Sequence, residues 1–247
     1  MSRPVALVTG GGQGIGAATC KRLAEDGYDI LLTYNTSSKP AEMLVDEIRE
    51  SGNDALAVKV DCSNQGEVSL LGIHPWMARK IEVLVLNHGA YNRVAADELT
   101  IDTLRETMAV NFEGSVAVWK AIQPHLSQDA RMVVVGSQLG TRGSPHGADY
   151  SASKAAADLM VQAWHHTYGL PTIVTRCTNN LGTHQHPEKL IPKLILKALH
   201  NQPLPIYGHG NHVRDWIDVR DHVRALWWAY QDAPAGFVVN IGAQQEL

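Results

Sequence analysis

One serine, one tyrosine and one lysine of this sequence have the types and the spacing needed for proton transfer at a carbonyl or hydroxyl carbon. Tyr150 follows Ser137 in the chain, and Lys154 stands four positions after Tyr150, one turn away on the same face of a helix. The pKa of a phenol is about 10, so we expect the Lys154 ammonium group, helped by the positive charge of a bound nicotinamide, to lower the pKa of Tyr150 toward neutrality. Ser137 would hold the substrate oxygen, and Asn111 would complete a proton relay through water to Lys154.

A glycine-rich segment near the start of the chain has the features of a turn that wraps around phosphate groups. Residues Thr9–Gly16 follow a short apolar run and open a helical pattern, which is the setting that a dinucleotide-binding turn requires. Gly10 would allow the tight turn, Gly14 would let the backbone approach a pyrophosphate, and Gly16 would let the helix pack closely on the strand. The helix N-terminus adds unpaired N–H groups and the positive end of a dipole. The segment therefore predicts a bound dinucleotide.

The end of the second predicted strand bears on which dinucleotide binds. An acidic residue there would bind both ribose hydroxyls and exclude a 2′-phosphate, but residues 34–39 are Tyr-Asn-Thr-Ser-Ser-Lys. Asn35, Ser37 and Lys39 offer donors and positive charge to a 2′-phosphate, so the sequence favours NADP(H), with NAD(H) as the alternative. Asp61 is placed to accept a hydrogen bond from the adenine amino group. The expected cofactor contacts are Gly10, Gly12, Gln13, Gly14, Ile15, Gly16, Tyr34, Asn35, Ser37, Asp61, Cys62, Asn87, His88, Gly89, Tyr150 and Lys154.

These residues need a scaffold that brings strand ends together, and the apolar pattern predicts one. Short buried strands alternate with amphipathic helices along the first 177 residues. The predicted strands are 5–8, 30–33, 55–60, 83–86, 132–135 and 172–174, and the predicted helices are 14–25, 41–50, about 99–125 and 150–168. Repeated βαβ units of this kind build a doubly wound parallel α/β sheet of the Rossmann type, which binds ligands at the carboxyl ends of its strands.

The chain after about residue 177 has a different composition, rich in Pro, His and Gly. We predict a helix over 188–200, short strands near 204–207 and 213–219, and a helix over 220–231. This part is interpreted as a small substrate-binding region that closes over the sheet. The whole chain, 1–247, is predicted to form a single domain. Within it, 1–176 would be the cofactor-binding and catalytic core, and 177–247 the substrate region plus the last strand.

Composition and charge exclude several classes of protein. The chain is 45% hydrophobic and 19% charged, which is ordinary for a globular protein and excludes coiled-coil and disordered classes. The 21 Lys and Arg against 25 Asp and Glu give a net charge of −4, so no broad basic surface for nucleic acid or an anionic membrane is expected. We find no signal-peptide pattern and no apolar run of about 18 residues, and therefore expect a cytoplasmic protein without a membrane span.

The cysteines and histidines predict neither disulfides nor a metal site. The three cysteines are scattered and form no CxxC pair, so they are most simply small buried residues. Eight of the twelve histidines fall between residues 165 and 222, and a His-x-His pair can bind zinc. No Cys or carboxylate completes an obvious ligand set beside them, so we predict no metal and interpret these histidines as polar surface residues or hydrogen-bonding groups.

The motifs of the first 160 residues resemble the short-chain dehydrogenase/reductase superfamily, in particular its short single-domain branch, which includes the 3-oxoacyl-carrier-protein reductases. The resemblance rests on Thr9–Gly16, Asp61, Asn87–Gly89, Asn111, Ser137 and Tyr150–Lys154. It implies hydride exchange with a nicotinamide. Tyr150 would be the acid–base group, Lys154 would bind the ribose, and Ser137 would polarise the carbonyl, while Asn111 orders the relay. His88 departs from the alanine of the superfamily's Asn-Ala-Gly turn, and its larger side chain is expected to crowd the cofactor.

From about Tyr150 onward the chain also resembles nucleotide-sugar 4,6-dehydratases of the dTDP-glucose type. The motifs are Tyr168–Thr172, Arg176–Asn180, Pro187–Pro192, Pro205–Gly208, Val213–Trp216 and Asn240–Gly242. The resemblance implies that a nucleotide diphosphate and its base are bound by Asn179, Lys189, Leu190, Pro205, Tyr207 and Arg214. Lys189 and Arg214 carry positive charge suited to a diphosphate, and Tyr207 offers a face for a base.

Dehydration needs groups that the sequence lacks at the expected positions. The dehydratase family carries an Asp-Glu pair directly after its active-site threonine, and the corresponding residues here are Ser137, Gln138 and Leu139. Neither Gln nor Leu can transfer a proton in that cycle, so we predict no 4,6-dehydratase activity. The two resemblances meet near residues 150–154, which leaves open a natural mosaic or an engineered recombinant of two related folds.

Three functional hypotheses follow from these motifs. The leading one is an NADP(H)-preferring oxidoreductase that reduces a carbonyl or oxidises a secondary alcohol. The second is a nucleotide-sugar keto-reductase or epimerase, which also needs Tyr150 and a nicotinamide. The third is a folded cofactor-binding scaffold without turnover. The superfamily resemblance further implies a homodimer or homotetramer built through the helices around 99–125 and 150–168.

Overall fold

A seven-stranded parallel sheet forms the centre of the fold. The computed structural model describes residues 3–183, 185, 187–206 and 209–244. The strands are β1 (Val5–Val8), β2 (Asp29–Tyr34), β3 (Ala55–Lys59), β4 (Ile81–Leu86), β5 (Leu126–Ser137), β6 (Thr172–Cys177), β7 (Asn179–Leu181), β8 (Trp216–Asp218) and β9 (Val238–Ile241). The large sheet has the order β3-β2-β1-β4-β5-β6-β9, and β7 and β8 pair separately. Every pair of neighbouring strands is parallel.

Helices connect the strands and cover both faces of the large sheet. They are α1 (Gly14–Glu25), α2 (Ser38–Glu50), α3 (Gln65–Gly72), α4 (Ile101–Met108), α5 (Gly114–Ile122), α6 (Leu139–Arg142), α7 (Ala148–Tyr168), α8 (Leu190–Leu199) and α9 (Val219–Asp232). Ala109–Glu113 forms a π-helical turn between α4 and α5. Short 3₁₀ turns cover Pro75–Ala78 and Gln123–His125.

Two apolar clusters lie on opposite faces of the sheet, because successive residues of a strand point to opposite sides. Ala6 and Val8 of β1 belong to one cluster, whereas Val5 and Leu7 belong to the other. The first cluster takes residues from α1, α2 and α9, among them Leu23, Leu44 and Leu226. The second takes residues from α3, α5 and α7, among them Val68, Val118 and Val161. The near-continuous apolar runs of β1, β2 and β4 follow from this burial on both faces.

The strand order reverses between β1 and β4, which lie side by side at the middle of the sheet. Chain connections leave β1 and β4 in opposite directions there and open a crevice at the carboxyl ends of the strands. The glycine-rich segment directly follows β1, and Asn87-His88-Gly89 directly follows β4. The fold therefore delivers both predicted cofactor segments to the same crevice.

The predicted α/β fold is confirmed, and most elements lie where the sequence pattern placed them. The first helix spans its predicted residues, Gly14–Glu25. Strand β5 is longer than predicted, since it begins at Leu126 rather than at Met132. Its extra residues pass through a register shift opposite Ile81 and Val83, and they include exposed polar side chains that apolar periodicity does not reveal. The helical pattern around 99–125 is divided by the π-helical turn.

Part of the prediction for the C-terminal region is wrong. Residues 204–206 form no strand, because Pro203 and Pro205 lack the N–H groups that a ladder of hydrogen bonds requires. Tyr207, also predicted in that strand, lies outside the described residues. The strand predicted near 213–219 is limited to Trp216–Asp218.

Within residues 3–183, 185, 187–206 and 209–244, no helix is both long and apolar enough to cross a membrane. The same part of the chain holds no group of three or more His, Cys, Asp or Glu side chains arranged to bind a metal ion. His184 and His186 of the predicted His-x-His pair lie outside it. All three cysteines are unbridged, and Cys20 and Cys62 are buried.

Candidate active site

The end of β5 and the first half of α7 bring the predicted proton-transfer residues together. Ser137 is the last residue of β5, while Tyr150 and Lys154 lie on consecutive turns of α7. The Ser137 side chain lies close enough to the Tyr150 phenol to lower its pKa. The Lys154 ammonium nitrogen lies 5.9 Å from the centroid of the Tyr150 ring and donates a hydrogen bond to the Val135 carbonyl at 3.0 Å. These three side chains therefore form one cluster at the carboxyl edge of the sheet.

Asn111 lies beside this cluster in the π-helical turn, a feature that is frequent at functional sites. Its buried side chain donates to the Ala90 carbonyl and to Ser153 Oγ, both at 2.9 Å, and accepts from the Ala90 N–H at 2.7 Å. A Cβ atom placed on Gly89 would lie 3.2 Å from Asn111 Oδ1 and 3.4 Å from Lys154 Nζ. Asn111 thus braces the loop after β4 close to Lys154. A water relay between Asn111 and Lys154 stays a prediction.

The surroundings of Tyr150 shift its pKa in opposite directions. Desolvation raises the pKa of Tyr150 to about 12, outweighing the hydrogen bond with Ser137, which lowers it. Burial lowers the pKa of Lys154, whose residue is only 6% exposed. Proximity to Lys154 alone therefore does not bring the phenol toward neutrality, because the site removes both groups from water. Tyr150 is a proton donor in this state, and a further positive charge beside it would favour the phenolate.

The glycine turn requires glycine for two reasons, backbone conformation at Gly10 and Gly14 and close contacts at Gly16. Gly10 and Gly14 have φ angles of +62° and +55°, a region that glycine adopts at little cost. A Cβ atom on Gly16 would collide with the Gly10 carbonyl oxygen and lie 2.6 Å from Asn87 Nδ2. The Asn87 amide in turn donates to the carbonyls of Thr9 and Gly10 at 3.1 and 3.0 Å. Asn87 therefore ties the end of β4 to the turn after β1.

The turn and the helix behind it fit the phosphates of a dinucleotide. A Cβ atom on Gly14 would meet no other atom within 4 Å, so the backbone there is open to a close ligand. Gln13, the N-cap residue of α1, makes no side-chain hydrogen bond to the first turn. The N–H groups at this helix end thus have no side-chain acceptor, and such groups bind phosphate readily.

Residues at the end of β2 differ in how close they lie to the glycine turn. A Cβ atom on Gly12 would lie 2.7 Å from Ser37 Oγ, so Ser37 contacts the turn. Tyr34 is half-buried at the end of β2, whereas Asn35 and Lys39 are exposed. The structure therefore brings Ser37 to the predicted cofactor site and leaves Asn35 and Lys39 on the surface beside it.

Asp61 and Cys62 follow β3 and have different surroundings. Asp61 Oδ1 accepts hydrogen bonds from the Ser63 N–H and Oγ at 2.9 and 2.7 Å, so part of its acceptor capacity is used locally. Cys62 is buried in the apolar cluster formed with α3, α5 and α7. Burial raises the pKa of its thiol to about 12. The Cys62 side chain therefore packs in the core, and a cofactor contact at this position would come from its backbone.

His88 lies in the core rather than in the open crevice. Its Nδ1 atom lies 2.7 Å from Thr9 Oγ1, and its Nε2 atom lies 3.5 Å from Ser115 Oγ. Burial, followed by the positive charge of Lys154, lowers the pKa of His88 to about 3, so the ring is neutral. Its ring connects the glycine turn to α5, and crowding of the cofactor by this side chain stays a prediction.

One predicted substrate residue reaches the catalytic cluster through an aromatic side chain that the sequence analysis missed. The Tyr91 ring packs edge to face on Tyr150, with centroids 4.8 Å apart and planes at 72°. Lys189, the N-cap residue of α8, places Nζ 5.2 Å from the Tyr91 centroid. The Tyr91 hydroxyl donates to the His146 carbonyl at 3.0 Å, just before α7. Tyr91 therefore links the region after residue 177 to the proton-transfer site.

The other predicted substrate residues lie further along the same region. Leu190, the first residue of α8, and Pro205 are half-buried. Asn179 begins β7, and its amide donates to the Asp215 carbonyl at 3.5 Å. Arg214 is exposed and donates to the Val213 carbonyl at 2.8 Å. Tyr207 lies outside the described residues.

A second missed feature is a buried ion pair behind Lys154. Asp158 lies one turn further along α7 and is 1% exposed. Its Oδ2 atom accepts from Arg176 Nε of β6 at 2.7 Å. The i+4 spacing from Lys154 was the available signal, whereas the partner on β6 comes from tertiary packing alone.

A doubly wound sheet with this turn after β1 and this cluster after β5 is the arrangement of the short-chain dehydrogenase/reductase superfamily, whose members are NAD(P)-dependent enzymes. A sequence profile described as the NAD dependent epimerase/dehydratase family matches residues 6–242. The chain belongs to this NAD dependent epimerase/dehydratase family. Both resemblances predicted from the sequence are thereby confirmed, while the mosaic hypothesis stays a prediction.

Curated relatives are dTDP-glucose 4,6-dehydratases. A probable dTDP-glucose 4,6-dehydratase of Sinorhizobium fredii is 33% identical over 270 residues, which cover 98% of this chain and 72% of that protein. The dTDP-glucose 4,6-dehydratase of Salmonella typhimurium is 48% identical over 123 residues, covering 50% of this chain and 34% of that protein. The match thus spans about a third of the Salmonella enzyme's length.

Solved structures of two kinds share the fold. A short-chain dehydrogenase from Burkholderia cenocepacia in complex with NADP has a TM-score of 0.80 and 26% identity, with 96% of both chains covered. A dTDP-glucose 4,6-dehydratase from Bacillus anthracis in complex with NAD has a TM-score of 0.77 and 31% identity, with 99% of this chain and 77% of the other covered.

Proposed function

We propose that the protein is a nicotinamide-dependent oxidoreductase that exchanges hydride with a carbonyl or secondary alcohol of a nucleotide-linked sugar. The observation that carries this proposal is the cluster of Ser137, Tyr150 and Lys154 at the carboxyl edge of the sheet. The dTDP-glucose 4,6-dehydratase relatives support a nucleotide-linked sugar as the substrate. A keto-reductase and an epimerase would both use this cluster.

Each residue of the cluster has a distinct part in the proposed reaction. Ser137 binds the substrate oxygen, and Tyr150 donates a proton to it in the reducing direction or accepts one in the oxidising direction. Lys154 holds positive charge beside the phenol and binds the ribose. Asn111 keeps the loop after β4 in place. When bound at the glycine turn, a nicotinamide dinucleotide supplies or accepts the hydride.

The region after residue 177 supplies the proposed nucleotide-sugar contacts. Lys189 lies against Tyr91, which in turn contacts Tyr150, so its positive charge is close to the reacting groups. A cation there suits a diphosphate whose sugar extends toward Tyr150. Arg214 and Asn179 would bind the more distant part of the nucleotide.

Replacing Tyr150 with phenylalanine tests the proposed chemistry. Tyr150→Phe should lower the rate of hydride transfer by at least about 100-fold, since it removes the proton-transfer group, while cofactor affinity stays near that of the wild type. Tyr168→Phe, at the exposed end of the same helix, is the matched control and should retain the wild-type rate. Turnover by Tyr150→Phe at the wild-type rate would overturn the proposal, and absence of any hydride transfer in the wild type would favour the scaffold hypothesis.

Thermal unfolding in the presence of ligands tests the substrate class. We expect dTDP or UDP to raise the midpoint of unfolding without any nicotinamide, because a ligand that binds only the folded state stabilises it. Lys189→Ala should reduce this shift. A shift with simple ketones and none with nucleotides would instead point to a small carbonyl substrate.

A preference for NADP(H) is part of the proposal. Its support is the lack of a carboxylate in residues 34–39 and the contact of Ser37 with the glycine turn. Dissociation constants for NADPH and NADH measured on the wild type and on Lys39→Ala provide the test. Tighter binding of NADH by the wild type would refute the preference.

Dehydration is the second candidate, and the dTDP-glucose 4,6-dehydratase relatives favour it. Against it, Gln138 and Leu139 occupy the positions after Ser137, and neither transfers protons. We therefore expect no 4-keto-6-deoxy product from dTDP-glucose with the wild type. The double variant Gln138→Asp/Leu139→Glu is the matched gain-of-function probe. Product formation by the wild type would establish the dehydratase instead.

We also propose a homodimer or homotetramer, on the ground of the superfamily resemblance. The mass of one chain is 27.0 kDa. Light scattering that gives a mass of two or four chains would support the proposal, and a mass of one chain would contradict it.

A further inference from the structure

A buried carboxylate lies directly behind the proposed catalytic lysine. Asp158 is four residues after Lys154 on α7, so their side chains share one face of the helix. Both residues are buried, with 1% and 6% of their surfaces exposed. The Lys154 ammonium donates to the Val135 carbonyl of β5 at 3.0 Å. A Cβ atom placed on Gly136, the next residue of β5, would lie 2.7 Å from Asp158 Oδ1. The side chains of Lys154 and Asp158 therefore lie against neighbouring residues of β5.

The Asp158 carboxylate is only partly satisfied by its ion pair. Oδ2 accepts from Arg176 Nε at 2.7 Å, whereas Oδ1 is buried and has no hydrogen-bond partner among the described residues. A buried carboxylate oxygen without a hydrogen-bond partner lowers the stability of the fold. A purely structural ion pair gives no reason to keep such an oxygen. Arg176 keeps 19% of its side chain exposed, so the arginine end of the pair is nearer to water. The unsatisfied oxygen, Oδ1, is the one that lies beside Gly136 of β5.

The groups around Lys154 differ in how they shift its pKa. Burial lowers the pKa of Lys154, and the negative charge of Asp158 is the largest influence that raises it again, followed by Cys177. Burial raises the pKa of Asp158, which Arg176 and then Lys154 lower. The groups that face Lys154 are Tyr150 and Asp158 on α7, Cys177 on β6, and His88 after β4. Of these, Asp158 is the carboxylate, and its pairing with Arg176 favours the charged form.

We propose that Asp158 is a positioning residue for the reaction, whose carboxylate, oriented by Arg176, keeps Lys154 protonated and directed at the cofactor side of Tyr150. This inference rests on the proposed function, because Lys154 matters there as a permanent positive charge beside the phenol. A buried lysine without a nearby anion tends to lose its proton. It would then neither favour the phenolate nor act as a cation toward the ribose. Asp158 does not touch the reacting atoms, and it acts through Lys154.

The competing interpretation is a purely structural ion pair that fastens α7 to β6. The two interpretations differ in a measurement that needs neither substrate nor turnover. The ¹³Cε resonance of Lys154, assigned by its loss in Lys154→Gln, reports the protonation of its amine when the protein is titrated between about pH 7 and 11. A structural pair would leave the titration midpoint of Lys154 unchanged when it is broken. Loss of a positioning carboxylate would lower the titration midpoint of Lys154.

Asp158→Asn should lower the titration midpoint of Lys154 by at least about one pH unit, the shift expected when a close opposite charge is removed. Asp158→Glu keeps the charge and should restore most of the midpoint. Asp29→Asn is the matched control, since Asp29 is also buried and paired with an arginine, Arg79, at the opposite end of the sheet. It should leave the midpoint of Lys154 unchanged.

The variant Asp158→Asn leaves Arg176 without its partner and is at risk of unfolding. The double variant Asp158→Asn/Arg176→Met removes both charges, and it should fold yet still show the lowered midpoint of Lys154. A midpoint equal to that of the wild type in either variant would overturn the inference. This outcome is independent of the Tyr150→Phe result, so failure of the proposed function and failure of this inference are distinguishable.

Discussion

At the scale of single residues, the site depends on positions where one added atom would collide with the backbone. Gly16 lies against the Gly10 carbonyl and the Asn87 amide. Asn87 uses the same amide for both of its bonds to the turn. A side chain at position 16 would therefore displace Asn87 and the turn together.

Gly16→Ala tests this close approach. The collision should destabilise the fold by about 1–3 kcal/mol, as overpacking usually does, and weaken dinucleotide binding. Thermal unfolding and the dissociation constant for NADPH are the measurements. Gly66→Ala is the control, because a Cβ atom there would meet only the Asn64 side chain at 3.2 Å. Wild-type cofactor affinity in Gly16→Ala would show that the turn tolerates a larger residue.

At the scale of elements, the position of Tyr150 depends on how the first turn of α7 is anchored. Asp149, fully buried beside Tyr150, accepts a hydrogen bond of 2.6 Å from Thr107 Oγ1 on α4. The N-cap residue Gly147 makes no side-chain cap bond. A Cβ atom on Gly147 would lie 2.5 Å from the Tyr91 ring. The start of α7 is thus held by α4 and by the loop after β4 rather than by its own cap.

Thr107→Val should disturb this anchor. It leaves a buried carboxylate oxygen without its donor, so we expect a loss of about 1–3 kcal/mol in the free energy of unfolding and a lower rate of hydride transfer. Denaturant unfolding and steady-state kinetics measure the two effects. Thr107→Ser keeps the hydroxyl and should retain most of both quantities. Equal behaviour of the valine and serine variants would exclude the hydroxyl as the anchor.

At the scale of the whole molecule, two buried histidines make stability depend on pH. Burial lowers the pKa of His222 to about 4 and that of His88 to about 3. Both residues titrate at about 6.5 in an unfolded chain. Below that pH the unfolded state binds protons that the folded state does not, so the stability present above about pH 6.5 is lost as the pH falls toward 4.

The variant His222→Gln should flatten this pH dependence. Its glutamine still has an amide for the Asn180 Oδ1 atom, which lies 2.7 Å from His222 Nδ1. We expect the wild type to lose on the order of 2–3 kcal/mol between pH 6.5 and 4 through His222, and the variant to lose that much less. Denaturant unfolding at several pH values is the measurement, with the exposed His209→Gln as control. If the free energy of unfolding of His222→Gln changes with pH as steeply as that of the wild type, this histidine does not cause the pH dependence.

Much of the fold was predictable because its signals are local. The bounds of α1 and the alternation of strands and helices follow from apolar periodicity and from glycines at the strand end. The predicted strand near residue 204 failed where Pro203 and Pro205 interrupt backbone pairing. The length of β5 was also missed, since a register shift depends on the neighbouring strand and not on the residues of β5 itself.

Local patterns in the chain were sufficient for the doubly wound sheet, the glycine turn and the Ser-Tyr-Lys set, because backbone conformation and helix spacing depend on neighbouring residues. The contact between Lys189, Tyr91 and Tyr150 required the folded molecule, as did the Asp158–Arg176 pair behind Lys154. The direction in which the pKa of Tyr150 shifts also required the folded molecule. Each of these depends on burial and on partners distant in sequence, and a group's pKa depends on the water and charge that the whole fold leaves around it.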